Sequence, residues 1–135
     1  MAIGVGGFVL SLAGQSGETF KTRLSAMPAD ARTRPNLAGT GTVTAVLTGT
    51  KLAITGSFEE LLSAATSASL HSSAAAGVRG AAIGDLTISK ATSGTISGSI
   101  ELTPQQLTSL HKGGLYVQIH SEKALDGVLW GWFLR

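Results

Sequence analysis

Three histidines, a Glu-Glu pair and a glycine cluster are the residues of this chain whose types and spacing bear on chemistry. His71 and His120 each close a short alternating apolar run, where strands can bring distant side chains together. Two imidazoles with a nearby carboxylate, Glu122 or Asp126, would suit copper or zinc, which take histidine nitrogen at about 2.0–2.1 Å. A tight site uses three or four ligands, so hydrogen-bonded structural histidines are the simpler reading. His111 stands beside Lys112 at a helix C-terminus, where a solvated or protonated imidazole is favourable. Glu59 and Glu60 are adjacent, so on a strand they face opposite ways and read as a solvated edge. Gly4-Val5-Gly6-Gly7 lacks the Lys-Ser/Thr that a phosphate loop requires. Serines are plentiful, but there is no Gly-x-Ser-x-Gly elbow and no His–Asp pairing that spacing supports. The expectation is therefore a chain that is not an enzyme and carries no cofactor.

The elements that would position these residues are mostly strands. Thr19–Leu24 alternates and reads as a first strand; Ser25–Leu37 holds Pro28 and Pro35 and reads as a loop. Gly41–Leu47 and Leu52–Phe58, joined by Thr48-Gly49-Thr50-Lys51, form a hairpin pattern. Glu59–Ser67 is ambiguous, with one helical turn conceivable at Glu59-Glu60-Leu61-Leu62. Ala68–His71 reads as a short strand, and Ala81–Ile88 is expected to pair with Thr95–Leu102. Thr103-Pro104-Gln105-Gln106 opens a helix: Thr103 caps it, Pro104 takes the first helical position, and Gln106 stands at capping-box spacing. Leu107 and Leu110 share a face, and Gly113 suits a left-handed stop. Leu115–His120 is the next strand.

The last run, Val128-Leu129-Trp130-Gly131-Trp132-Phe133-Leu134, does not alternate, yet it carries both tryptophans. A strand with one wet face alternates, so this one is covered on both faces, by its own domain or by a partner. Trp130 and Trp132, two apart, should share a face.

Length and composition set the class. At 135 residues the chain fits one domain with its own core. It has no cysteine, 18 glycines and only 13% charged residues, a profile of tight-turned β structure. The net charge is +2. Lys21, Arg23, Arg32 and Arg34 cluster early and read as a solvated loop face. With so few phosphate neutralisers and aromatics, nucleic-acid binding is not expected. Residues 1–18 form an apolar N-terminal arm or leader remnant, too short and glycine-rich to span a bilayer as a helix. Within it, Phe8 and Leu10 are candidates for contact with the domain or a neighbour.

From residue 19 onward the chain resembles the CHRD domain, a chordin-type module widespread in bacterial exported proteins. The resemblance is carried by Phe20-x-x-x-Leu24, the Gly41–Phe58 hairpin, Ala68-Ser69-Leu70-His71, and Gly77 with Gly80. Its strongest part is Leu102-Thr103-x-x-Gln106-Leu107-x-x-Leu110-x-x-Gly113-x-Leu115-Tyr116-Val117-x-Ile119-His120, and Gly127-x-x-x-Gly131 ends it. It implies an all-β, antiparallel Greek-key sandwich or barrel like that of superoxide dismutase, with one short helix, spanning 19–135. It implies no class-wide catalytic activity and a periplasmic or extracellular location. The family's His-x-His becomes Ser69-Leu70-His71, and its polar Gly-Glu-Ile-Arg-Gly ending becomes Gly127-Val128-Leu129-Trp130-Gly131.

These departures shift expectation from a polar or metal site toward a protein-covered surface. The reading is a non-catalytic exported domain that binds or scaffolds a protein partner, as an accessory subunit of a larger extracytoplasmic or membrane-bound assembly. Phe8, Leu10, Leu129, Trp130 and Trp132 are the candidate partner-binding residues. The alternatives are a copper or zinc domain using His71 and His120, and a self-assembling surface protein in which the partner is another copy.

Overall fold

The computed structural model describes residues 17–28 and 34–134. Among these, eight strands and one helix follow the chain: β1 (Glu18–Ala26), a 3-10 turn (Arg34–Asn36), β2 (Thr40–Thr48), β3 (Lys51–Glu59), β4 (Ala65–Ser72), β5 (Ala81–Ile88), β6 (Gly94–Glu101), α1 (Pro104–His111), β7 (Leu115–Ser121) and β8 (Ala124–Trp132). The strands close into an antiparallel barrel in the order β1-β2-β3-β6-β5-β4-β7-β8. This is the all-β architecture with one short helix expected above. The β3–β4 and β6–β7 connections each skip strands in that order.

The barrel is flattened because two of its seams are short. β1 meets β8 through Ser25↔Trp130 and Ala26↔Leu129, and β5 meets β6 through Thr87↔Ser97 and Ile88↔Ile96. Two four-stranded layers result, β1-β2-β3-β6 and β8-β7-β4-β5, with alternate side chains meeting between them. Phe20, Leu24, Ile54, Leu70, Ile119 and Phe133 are among the fully buried members of this core.

Local sequence explains most elements. Gly49 opens the two-residue turn between β2 and β3 with φ 63°, as a primed hairpin turn requires. Thr103 caps α1 by accepting from the Gln106 amide at 3.2 Å, while the Gln106 side chain accepts from the Thr103 amide at 2.9 Å. Gly113, at φ 79°, ends the helix, and Leu110 is buried under it.

Three elements depart from the sequence reading. Ala81–Ile88 and Gly94–Glu101 share only two rungs, and β6 pairs instead along its whole length with β3. Where β5 and β6 part, Leu86 packs over Gly98 and Ile100 over Gly84, so each strand's side chain fills the space the other's glycine leaves. No helical turn forms at Glu59–Leu62: Glu60 adopts φ 63°, Leu61 turns into the core, and β4 begins at Ala65 rather than Ala68. The last strand begins at Ala124, after a turn of only Glu122-Lys123.

Candidate functional site: the outer aromatic ladder and the β1/β8 groove

The second layer carries an aromatic ladder on its outer face. His71 on β4 stands opposite Tyr116 on β7, which stands opposite Trp132 on β8. The His71 and Tyr116 rings stack at 4.8 Å, and Tyr116 stacks on Trp132 at 4.3 Å. Trp130 meets Tyr116 and Trp132 edge-on at 5.9 and 4.7 Å. The two indoles therefore share a face, as their spacing requires.

The loop following β4 is pinned onto this ladder. The Gly80 amide donates to the Tyr116 hydroxyl at 2.8 Å, and the hydroxyl donates to the Gly80 carbonyl at 3.3 Å. His71 Nδ1 donates to the same carbonyl at 2.9 Å. In the neutral ring this leaves Nε2 to accept from the Ser69 hydroxyl at 2.8 Å. Trp132 Nε1 donates to Ser73 Oγ at 3.0 Å. Arg79 reaches back to the Asp126 carbonyl at 3.1 Å with its guanidinium 6.0 Å from the centre of the Trp130 ring, a cation–π approach.

The described residues singled out by sequence now have their places. Trp130 is only 9% exposed, sealed with Met27 and Tyr116 in a small cluster outside the barrel. The non-alternating strand is thus covered on its outer side largely by its own chain. Leu129 is 0% exposed and belongs to the main core; alternation turns it inward, away from any surface, which corrects its candidacy for a partner contact. Trp132 is half-buried. Phe8 and Leu10 lie outside the described residues, as does the 1–16 stretch of the arm.

His71 and His120 are not brought together. Ser67 stands opposite His120 and Tyr116 opposite His71, so the imidazoles are offset by four residues along adjacent strands, about 13 Å. Ser69 and Gln118 lie between them. The Gln118 amide nitrogen faces His120 Nε2 at 3.3 Å, and His120 Nδ1 donates to the Leu125 carbonyl at 2.8 Å. Among the described residues no group of three His, Asp or Glu gathers as metal ligands would, so the geometry gives no support to a metal centre on this pair. His111 is partly exposed, with Nδ1 on the Leu107 carbonyl and Nε2 3.0 Å from Glu18.

Ser69 and His71 have nucleophile–base spacing, but the third position is held by a carbonyl. A neutral carbonyl does not stabilise an imidazolium as a carboxylate does. The Tyr116 ring lies against the imidazole, and neither groove described below reaches this pair. The dyad acts as a clamp on the loop.

Sequence reasoning missed a groove at the seam between β1 and β8. Beyond Ala26 and Ser25 these strands rejoin at Lys21 and Leu134, whose backbones exchange hydrogen bonds of 2.8 and 3.1 Å. Both contacts keep one register, which sets Arg23 opposite Trp132. Lys21, Arg23, Thr42, Thr44, Trp132 and Leu134 line an open groove of about 390 Å³. It shares Arg23 and Thr42 with a neighbouring groove of about 280 Å³ that ends at Ser57 and Glu59. Lys21 and Arg23 thus lie on the outer face of a strand rather than in a loop; Arg34 is exposed on the 3-10 turn, and Arg32 lies outside the described residues. Alternation in β1 was a usable signal for the two cations, but only barrel closure puts them beside Trp132.

The CHRD domain family matches residues 20–131. This chain belongs to the CHRD family. The curated proteins and the solved structures give no match. Within the matched stretch, the Ser69 hydroxyl occupies the Nε2 of His71. No helix among the described residues is long and apolar enough to cross a membrane.

Proposed function

We propose that this CHRD domain is a non-catalytic, exported binding module whose contact surface is the β1/β8 groove. One observation carries the reading. Trp132 stacks on Tyr116 and also lines a groove with Leu134, 64% exposed, and two cations that no described carboxylate pairs. An aromatic anchored from behind, an exposed aliphatic and unpaired basic groups are the ingredients of an energetically dominant contact. The clamp role of Ser69 and His71 supports a non-catalytic module. The low charge content and the CHRD resemblance support a periplasmic or extracellular setting, with the partner a component of an extracytoplasmic or membrane-bound assembly.

The test is site-specific photocrosslinking with the full chain, the reactive side chain placed at Thr44 or Leu134 and, as a control, at Lys90. Adducts with one partner from the groove positions and not from position 90 are expected. Equal labelling from all three positions would remove the groove as the contact surface, and an adduct between two copies would assign it to self-assembly.

A further inference from the structure

We infer that the ligand of this groove is a carboxylate-bearing glycan, a chain containing uronic acid residues. The inference rests on the groove being the contact surface and names what that surface recognises.

The charge requires an anion. Lys21 and Arg23 lie two residues apart on one face of β1, about 6.6 Å along the strand, and the ion pair among the described residues is His111–Glu18 at the helix. Glu59 limits the cationic stretch at the far end of the adjoining groove. Arg23 offers a planar fork suited to a carboxylate, and Lys21 a second point charge.

The remaining lining is that of a sugar site. Lys21 stands opposite Thr44 and Arg23 opposite Thr42. Each threonine hydroxyl donates one hydrogen bond and accepts others, the capacity needed to meet hydroxyls that are themselves both donor and acceptor. Thr42 and Thr44 make no side-chain hydrogen bond to another described residue. Trp132 supplies a flat apolar wall whose orientation is fixed by Tyr116 and Ser73, suited to the C–H face of a pyranose ring.

The barrel disfavours the other anionic chain, an acidic peptide. Peptides that dock on β structure gain most of their backbone hydrogen bonds by adding a strand to a free edge. Here β1 pairs with β8 at one end of the groove and with Leu134, two residues past β8, at the other, so a peptide backbone finds no long free edge and recognition falls to side chains.

The test uses hexagalacturonate, its fully methyl-esterified form and hexaglutamate as probes, with the folded full chain. Binding is followed by the indole N–H resonance of Trp132, and titrations are repeated with Arg23→Gln and Lys21→Gln, both exposed positions, after melting curves establish that the fold is retained. Hexagalacturonate is expected to shift the Trp132 signal and to bind about tenfold or more tighter than the ester. Each glutamine substitution should weaken it about fivefold or more, as loss of a charge-assisted bond would. Equal binding of the ester overturns the proposal, because the cations then play no part. Hexaglutamate binding at least as tightly also overturns it, while leaving the groove as a contact surface for acidic protein. If none of the probes moves the Trp132 signal while crosslinking from Thr44 and Leu134 still captures a partner, the glycan assignment falls and the binding module stands.

Discussion

Tyr116 and Gly80 hold each other twice, the glycine amide donating to the phenol oxygen at 2.8 Å and the phenol donating back to the glycine carbonyl at 3.3 Å. The pair joins the middle of a core-facing sheet to a surface loop 36 residues away in sequence. It also fixes the Tyr116 ring against which Trp132 leans, so the wall of the groove depends on a contact behind it.

Tyr116→Phe keeps the ring and removes both bonds. The Gly80 amide is then left without its acceptor, and the expected loss is about 1–3 kcal/mol, read from urea unfolding midpoints. Amide exchange should accelerate at Gly80 and across 73–79 well before the strands open, because the loop loses its anchor while the ladder keeps its stacking. An unchanged exchange rate at Gly80 would show that His71 alone seats the loop.

The two tryptophans and Leu129 should separate by environment. Leu129→Ala empties a site in the closed core and should cost about 2–5 kcal/mol. Trp130→Ala removes the largest member of the outer cluster and should cost about 3–5 kcal/mol. Trp132→Phe keeps an aromatic wall and gives up the bond to Ser73, which still donates to the Ala75 carbonyl; a loss of about 1 kcal/mol is expected. Thermal and urea unfolding of the three variants check the order. A Leu129→Ala protein as stable as the parent would contradict its place in the core.

The helix offers a local check. Thr103→Ala removes the cap acceptor for the Gln106 amide and with it half of a reciprocal pair, at a cost of about 1 kcal/mol. Thr103→Ser and Thr103→Asp should restore most of it. Failure of both to restore stability would mean that packing of Leu110, not capping, holds the helix.

What the sequence made legible follows how local the physics is. The cap at Thr103, the stop at Gly113 and the Gly49 turn are decided by residues within a few positions of one another, and each stands where its spacing places it. The strand carrying the tryptophans announced its two-sided cover through lack of alternation, yet not what covers it. Met27 comes from the end of β1 and Arg79 from the β4–β5 loop that ends at Gly80, both far from β8 in sequence. The β5–β6 hairpin looked as legible as β2–β3 but opened, because Ile88 and Thr87 end their shared ladder and β3 offers β6 a full-length partner. The groove was the least legible feature. Its cations lie in β1 and its indole in β8, and nothing near either residue signals that barrel closure makes them neighbours.

Gly77 and Gly80 in the pinned loop separate two reasons for a glycine. Gly77 has φ 83°, and a Cβ there would meet nothing within 4 Å; Gly77→Ala should cost about 1–2 kcal/mol, from the left-handed backbone alone. At Gly80 φ is not left-handed, but a Cβ would collide with the Ser72 carbonyl oxygen and lie 2.8 Å from the Ser73 Cα. Backbone cannot swing aside as a side chain can, so Gly80→Ala must lift the loop and break the bonds to both His71 and Tyr116. A loss of about 3 kcal/mol or more is expected, overpacking adding to unmet hydrogen bonds. Lifting the loop also removes Ser73 from Trp132 Nε1, so the Trp132 indole resonance should broaden or shift in Gly80→Ala and stay in place in Gly77→Ala. Equal stability losses with an unmoved indole signal in both variants would show that the loop and the groove are independent.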